Sequence, residues 1–135
     1  MSSSAPLDGD ATPSGNVIVR MFNWWNQAFL DPEGFTPEAF GQHYTGNAEL
    51  TVNGQLRGTG LDALARHYRR LQQEFESIQM ELPVIDGFCC GNRAFVQCVT
   101  RAVRAGQTVR EEAMAIATVS AGKIARLEVI GRRLD

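Results

Sequence analysis

Apolar residues recur every three to four positions in the first half of the chain and every second position in the second half. From Val17 to Leu30, the residues Ile18, Met21, Phe22, Trp25, Ala28 and Phe29 return at helical spacing, with Val17 and Trp24 on the edge of the stripe. Asp31-Pro32-Glu33-Gly34 makes a turn. Thr36 then suits an N-cap, Pro37 the first helical position, and Phe35 and Phe40 the spacing of a hydrophobic staple. The spacing predicts a short second helix to about Tyr44. Ala48 to Asn53 reads as a strand, and Asn53-Gly54 as a hairpin turn that returns a strand to about Gly58. Thr59, with Asp62 three positions on, has the pattern of a capping box. It predicts a third helix with Leu61, Leu64, Tyr68, Leu71 and Phe75 as its apolar stripe. Arg66, His67, Arg69 and Arg70 flank or oppose that stripe.

Beyond Ser77 the period is two. Ile78, Met80, Leu82 and Val84 alternate with Gln79, Glu81 and Pro83. Pro83 cannot donate to a ladder and favours an edge or a bulge. Turn signals at Gly91-Asn92, Ala105-Gly106 and Ala121-Gly122 separate strands over Ala94 to Val103, Thr108 to Val119 and Ile124 to Ile130. Ala113 to Val119 is apolar on both faces, where a sheet with one wet face alternates more cleanly. One face is expected to meet the helices and the other a second subunit, as a homodimer through the sheet.

The order of elements resembles the SnoaL-like and nuclear transport factor 2-like superfamily. The resemblance rests on His43-Tyr44-Thr45-Gly46-Asn47-Ala48-Glu49-Leu50, on Gly58-Thr59-Gly60-Leu61-Asp62-Ala63-Leu64 and on Gly122-Lys123-Ile124. It covers residues 16 to 134. It implies an α+β cone-like half barrel: a curved antiparallel sheet with three helices from the N-terminal half closing an apolar pocket. Trp25, Phe40, Tyr44, Val52, Leu64, Tyr68 and Met114 are the expected walls, with Gln97 and Arg101 on one face of a neighbouring strand. The family includes ketosteroid isomerases, polyketide cyclases, dehydratases and epoxide hydrolases, so the fold alone decides no function.

Composition narrows the classes. The 135 residues are 44% hydrophobic and 21% charged, ordinary for one globular domain, expected over residues 16–135. A net charge of −2 gives no electrostatic case for nucleic acid. No apolar run approaches the roughly 18 residues of a membrane span. Residues 1–15, small and rich in Pro, Gly and Ser, read as a disordered tail without the basic start and apolar stretch of a secretory signal. Cys89, Cys90 and Cys98 lack metal-ligand spacing and read as buried small apolar residues, reduced in a cytoplasmic protein.

Candidate chemistry is sparse. The ketosteroid isomerase mechanism needs an Asp base, a Tyr and a protonated Asp. In the resemblance those positions fall near Thr51 or Val52, near Trp25 or Asn26, and at Met114 or Ala115. Tyr44 and Tyr68 align with supporting tyrosines that reach towards the cavity. An epoxide hydrolase needs two Asp, yet none lies between Asp86 and Asp135. A scytalone-type dehydratase needs His on strands, whereas His43 and His67 fall on predicted helices.

Titratable candidates remain. His67, with an ordinary pKa near 6.5, suits acid–base work. Glu111 and Glu112 point to opposite faces of one strand, so one of them is expected to face the pocket. His67, Glu112 and Tyr68 are thus the candidate catalytic set. They suit a cofactor-free isomerase, cyclase, hydratase or lyase acting on a small apolar molecule. The alternative is a non-catalytic binding or dimerisation module. No cofactor or metal is called for.

Overall fold

The computed structural model describes residues 15–134. The expected tail, apart from Gly15, lies outside the described residues. The first helix, α1, spans Val17–Phe29. Asn16 caps it: its side-chain oxygen accepts from the Ile18 N–H at 2.9 Å, and its amide donates to the Phe95 carbonyl at 3.2 Å. A fully buried cap thus fixes both the start of α1 and its seat on the sheet. Helix α2 spans Pro37–Phe40, and Thr36 caps it by accepting from the Ala39 N–H at 3.1 Å. The staple forms as its spacing predicts, with the Phe35 and Phe40 rings stacked 5.6 Å apart. The helix ends earlier than expected. Residues 41–43 turn, and Tyr44 opens the first strand, β1 (Tyr44–Val52).

Asn53 and Gly54 both have positive φ, 49° and 82°, as a two-residue hairpin requires, and lead into β2 (Gln55–Thr59). Helix α3 spans Leu61–Glu74 and starts from Gly60 with no side-chain cap. The capping role expected of Thr59 is therefore not taken up. Thr59 pairs with Glu49 at the end of the β1–β2 ladder, so its backbone is committed to the strand.

The remaining strands are β3 (Ser77–Met80), β4 (Asp86–Cys90), β5 (Arg93–Arg104), β6 (Gln107–Ser120) and β7 (Lys123–Leu134). The alternation from Ser77 to Val84 does not continue as one strand. The ladder stops at Met80, short of Pro83 with its missing N–H. Two short strands instead share one long neighbour: β3 pairs with residues 100–103 of β5, and β4 with residues 93–97.

The seven strands make a curved, unclosed sheet in the order β2-β1-β7-β6-β5-β3, with β4 also beside β5. All pairs are antiparallel except β1–β7, which is parallel and brings the first and last strands together. Alternation decides what meets the helices. Ala94, Val96 and Cys98 of β5, Ala113, Ala115 and Ala117 of β6, and Leu127 of β7 are buried. Most of these are small, because the bulk comes from Trp25, Phe35, Phe40 and Leu64 opposite them, all at most 1% exposed. Burying each such large side chain stabilises the fold by about 1.5–3 kcal/mol.

Two polar side chains help tie the helices down. Asn26 of α1 donates to the Met80 carbonyl and accepts from the Met80 N–H, each at 2.9 Å. Gln72 of α3 donates to the Phe29 and Asp31 carbonyls at the end of α1.

The turn after α1 passes so close to the helix that a Cβ on Gly34 would overlap the Ala28 carbonyl, whereas a Cβ on Gly46 would meet nothing within 4 Å. Gly34→Ala is expected to lower unfolding free energy by about 1–3 kcal/mol in urea titration, and Gly46→Ala to change it far less. Equal effects would show that the turn is not held against α1.

Candidate functional site

The space between helices and sheet is occupied by aromatic rings delivered from α1, α2, α3 and the loops between them. Trp25 of α1 lies 5.3 Å from Phe35 and 5.6 Å from Tyr68, centroid to centroid. Tyr68 of α3 stacks on Phe40 at 5.5 Å, and Phe40 meets Tyr44 of β1 at 5.8 Å. Trp25, Phe40, Tyr44 and Leu64, four of the residues expected to line a pocket, are thus fully buried together with Phe35. Tyr68 and Val52 pack against this cluster half-buried.

Two atoms in this interior lack any hydrogen-bond partner: the indole Nε1 of Trp25 and the hydroxyl of Tyr44. Leaving one buried polar group unpaired costs about 1–3 kcal/mol. Indole N–H can only donate, and a tyrosine hydroxyl can donate or accept. Burial, and then the neighbouring Tyr68, push the Tyr44 pKa well above its ordinary value, and burial alone raises that of Tyr68. Both phenols therefore stay protonated at any physiological pH. Burial also pushes the Cys98 thiol up to about 11. Among the described residues, no carboxylate, imidazole or ammonium is fully buried. The interior offers donors to a hydrogen-bond acceptor and holds no base of its own.

The other expected site residues lie elsewhere. Met114 is 47% exposed, on the sheet face away from the helices. Its cross-strand partner Gln97 shares that face, as do Glu112 and, farther along β5, the exposed Arg101. The physical reason is parity: Ala113, Ala115 and Ala117 of β6 are buried in the core, so Glu112, Met114 and Ile116 turn outwards. Glu112 accepts from Gln97 at 2.6 Å and from Arg132 at 3.0 Å, contacts that hold its pKa below the usual carboxylate range. Glu111, on the inward parity, lies near the strand's start and is exposed. The expected constellation of His67, Tyr68 and Glu112 is therefore not assembled.

His67 does border the aromatic cluster. It is half-buried, with its ring 4.9 Å from that of Tyr68. Burial lowers its pKa most, then Arg57 and Arg70, with Glu74 opposing. His43 stacks on Trp24 at 4.9 Å, and its pKa is lowered by burial, then by Arg20 and Lys123. Phe35 and Arg57 join the site without having been expected there. The staple spacing is a signal for Phe35. No pattern in the sequence marks Arg57.

Two concavities mark the surface outside the cluster. One, of about 350 Å³, lies between the end of α1 and α3, lined by Phe29, Leu30, Arg69 and Gln72. The other, of about 270 Å³, lies on the outer sheet face among Phe88, Cys90, Arg93, Phe95 and Ile116. Among the described residues no group of three or more His, Cys, Asp or Glu is placed to hold a metal ion, and no helix is long and apolar enough to cross a membrane.

A histidine pKa lowered by folding means that the unfolded chain binds more protons in the window between the folded pKa and about 6.5. The stabilising contribution is present above about pH 6.5 and is lost as pH falls through the folded value. Urea titrations should show stability declining below about pH 6.5, and the double variant His43→Gln/His67→Gln should flatten that decline. An unchanged slope would show that neither histidine is responsible.

Comparison with known proteins agrees with the geometry. The model of the SnoaL-like domain family matches residues 18–127. An NTF2-like protein of unknown function from Exiguobacterium sp. 255-15 superposes with a TM-score of 0.72 at 18% identity, over 86% of this chain and 98% of that one. A proposed SnoaL-like polyketide cyclase from Jannaschia sp. CCS1 gives 0.72 at 13% identity, over 97% and 91%. IdmH, a proposed polyketide cyclase from Streptomyces antibioticus, gives 0.67 at 16%, over 89% and 91%. No curated protein matches. At these identities the solved structures speak for the fold alone, while the family match spans most of the chain: it belongs to the SnoaL-like domain family.

Proposed function

We propose that this SnoaL-like protein binds a small, largely apolar molecule in its aromatic interior, through a hydrogen-bond acceptor on that molecule. The observation that carries this reading is the pair of buried, unpartnered groups, Trp25 Nε1 and the Tyr44 hydroxyl. A carbonyl or ether oxygen seated between the rings would relieve the cost of leaving them unpaired. Rings such as Phe40 and Tyr68 would have to shift to admit it.

A second reading is catalysis without a cofactor, as an isomerase, cyclase, hydratase or lyase. It is supported by His67 beside Tyr68, since a lowered pKa keeps the imidazole neutral and able to accept a proton near pH 7. Two of the proteins of similar fold are described as proposed polyketide cyclases. Binding is the better supported, because Glu112, the carboxylate expected to act with His67, is engaged by Gln97 and Arg132 on the far face of the sheet. Of the three cysteines expected to be buried, Cys98 is buried, Cys89 half-buried and Cys90 exposed, because Cys90 ends the short strand β4; reduced thiols at all three would suit a reducing cytoplasm.

The outer sheet face supports a homodimer. One row across the strands runs Leu56, Thr51, Glu128, Ile116, Phe95 and Phe88, and the next runs Ile130, Met114 and Gln97. Leu56, Phe88, Met114 and Ile130 are between 47% and 61% exposed. Glu49 beside Arg126 and Glu112 beside Arg132 flank this band, so a twofold-related copy could meet apolar with apolar and acid with base.

Tyr44→Phe should raise the unfolding free energy of the unliganded protein by about 1 kcal/mol or more, while weakening binding of any ligand that moves the Trp25 indole resonance. Destabilisation by Tyr44→Phe would mean that the hydroxyl is already satisfied and the binding reading is unsupported. Sedimentation of wild type at micromolar concentration should give a dimer, and Ile130→Lys a monomer. A monomeric wild type would remove the dimer.

A further inference from the structure

Tyr68 is a half-buried member of the aromatic cluster, and the half-buried His67 lies against it on α3. His67, Arg70 and Glu74 follow at helical spacing and share a face of α3. Strand β2 packs beside that helix: a Cβ on Gly58 would lie 3.1 Å from that of Ala63. The β1–β2 ladder is irregular at this point. Leu50 pairs with Gly58 and Thr51 with Leu56, which leaves Arg57 as the extra residue of a bulge. Bulges bend a strand and re-aim the side chain they carry, and they concentrate beside functional sites. Here the bulged residue is an arginine, and its charge reaches His67 together with that of Arg70. Among the described residues neither guanidinium is held in an ion pair. Glu74, seven residues on from His67 along α3, opposes their effect on the imidazole.

We infer that Arg57, His67 and Arg70 form an anion-recognising rim at the mouth of the aromatic interior, so that the ligand is an amphipathic anion. Its apolar body lies among Trp25, Phe40 and Tyr68, and its head, a carboxylate or a phosphate, lies at the rim. This rests on the binding reading above and adds to it the class of ligand. Guanidinium groups suit both heads, since each presents paired donors to paired oxygens. Partial burial of His67 removes the competing water that would weaken a wholly exposed pair. With an anion bound, His67 gains a partner that opposes Arg57 and Arg70, so its pKa should rise on binding.

The test uses the full chain with 1-octanol, octanoate and octyl phosphate, all with the same apolar body. Calorimetry reads affinity, and the Trp25 indole N–H resonance reads occupation of the interior. Octanoate or octyl phosphate should bind about tenfold tighter than octanol, and the better of the two names the head group. Arg57→Ala and Arg70→Ala are at exposed positions and should leave the fold intact. Each should weaken the anion severalfold and leave octanol unchanged. Added salt should weaken the anions selectively. Equal affinity for octanol and both anions, with Trp25 shifted by all three, would overturn the rim and keep the interior site. A loss of octanol binding equal to that of the anions in both variants would also overturn it. Failure of all three to move the Trp25 resonance would overturn the interior site and the rim with it.

Discussion

The fit of large rings on the helices into small residues on the sheet is the constraint that shapes every other part of the molecule. Ala94, Ala113, Ala115 and Ala117 form a shallow floor, and Trp25, Phe35, Phe40 and Tyr68 fill the space above it. The floor fixes the parity of β5 and β6. Parity sends Phe95, Ile116 and Met114 to the outer face, where their apolar surface stays half-buried or exposed. It also removes Glu112 from any role in the interior. The same strand that shapes the core therefore shapes the outer face, and the two cannot be changed independently.

The interior is specified by packing more than by polar contacts. Its rings meet at edge-to-face and stacked distances that favour aromatic pairs. The exceptions are Trp25 Nε1 and the Tyr44 hydroxyl, which phenylalanines would avoid at little loss of apolar surface. Stability alone gives no reason to keep them, and natural sequences tend to break local rules where a site is needed. The proposed binding site is the place where the core is least satisfied. The charges follow the same division: Arg57 and Arg70 act on His67 beside the cluster, while Glu112 is engaged on the far face by Gln97 and Arg132.

Much of this is legible in the sequence. The cap and staple around Thr36, the Asn53-Gly54 hairpin and the helical stripes of α1 and α3 are local chemistry, and local chemistry is what a sequence displays. The two-sided character of Ala113 to Val119 is equally visible. Which side faces in is not. The resemblance implies Met114 for the interior, but the helices already supply the bulk and the alanines of that strand are the residues buried. Spacing to Asp62 marks Thr59 as a cap, but pairing across to Glu49 claims it first. Strand β4 and the Arg57 bulge depend on which segments find β5 and β1 as neighbours, and no run of residues encodes that. The orphaned groups are likewise a property of the assembled core, invisible until Trp25 and Tyr44 are seen without partners.

Whether those two groups await a ligand is decided most directly by a crystal structure of the protein as purified, inspected for density within hydrogen-bonding reach of Trp25 Nε1 and the Tyr44 hydroxyl. Continuous density larger than a water is expected there, with an acceptor atom at one or both groups and an anionic end towards Arg57 and Arg70. Single ordered waters satisfying both groups within an otherwise closed aromatic core would contradict it.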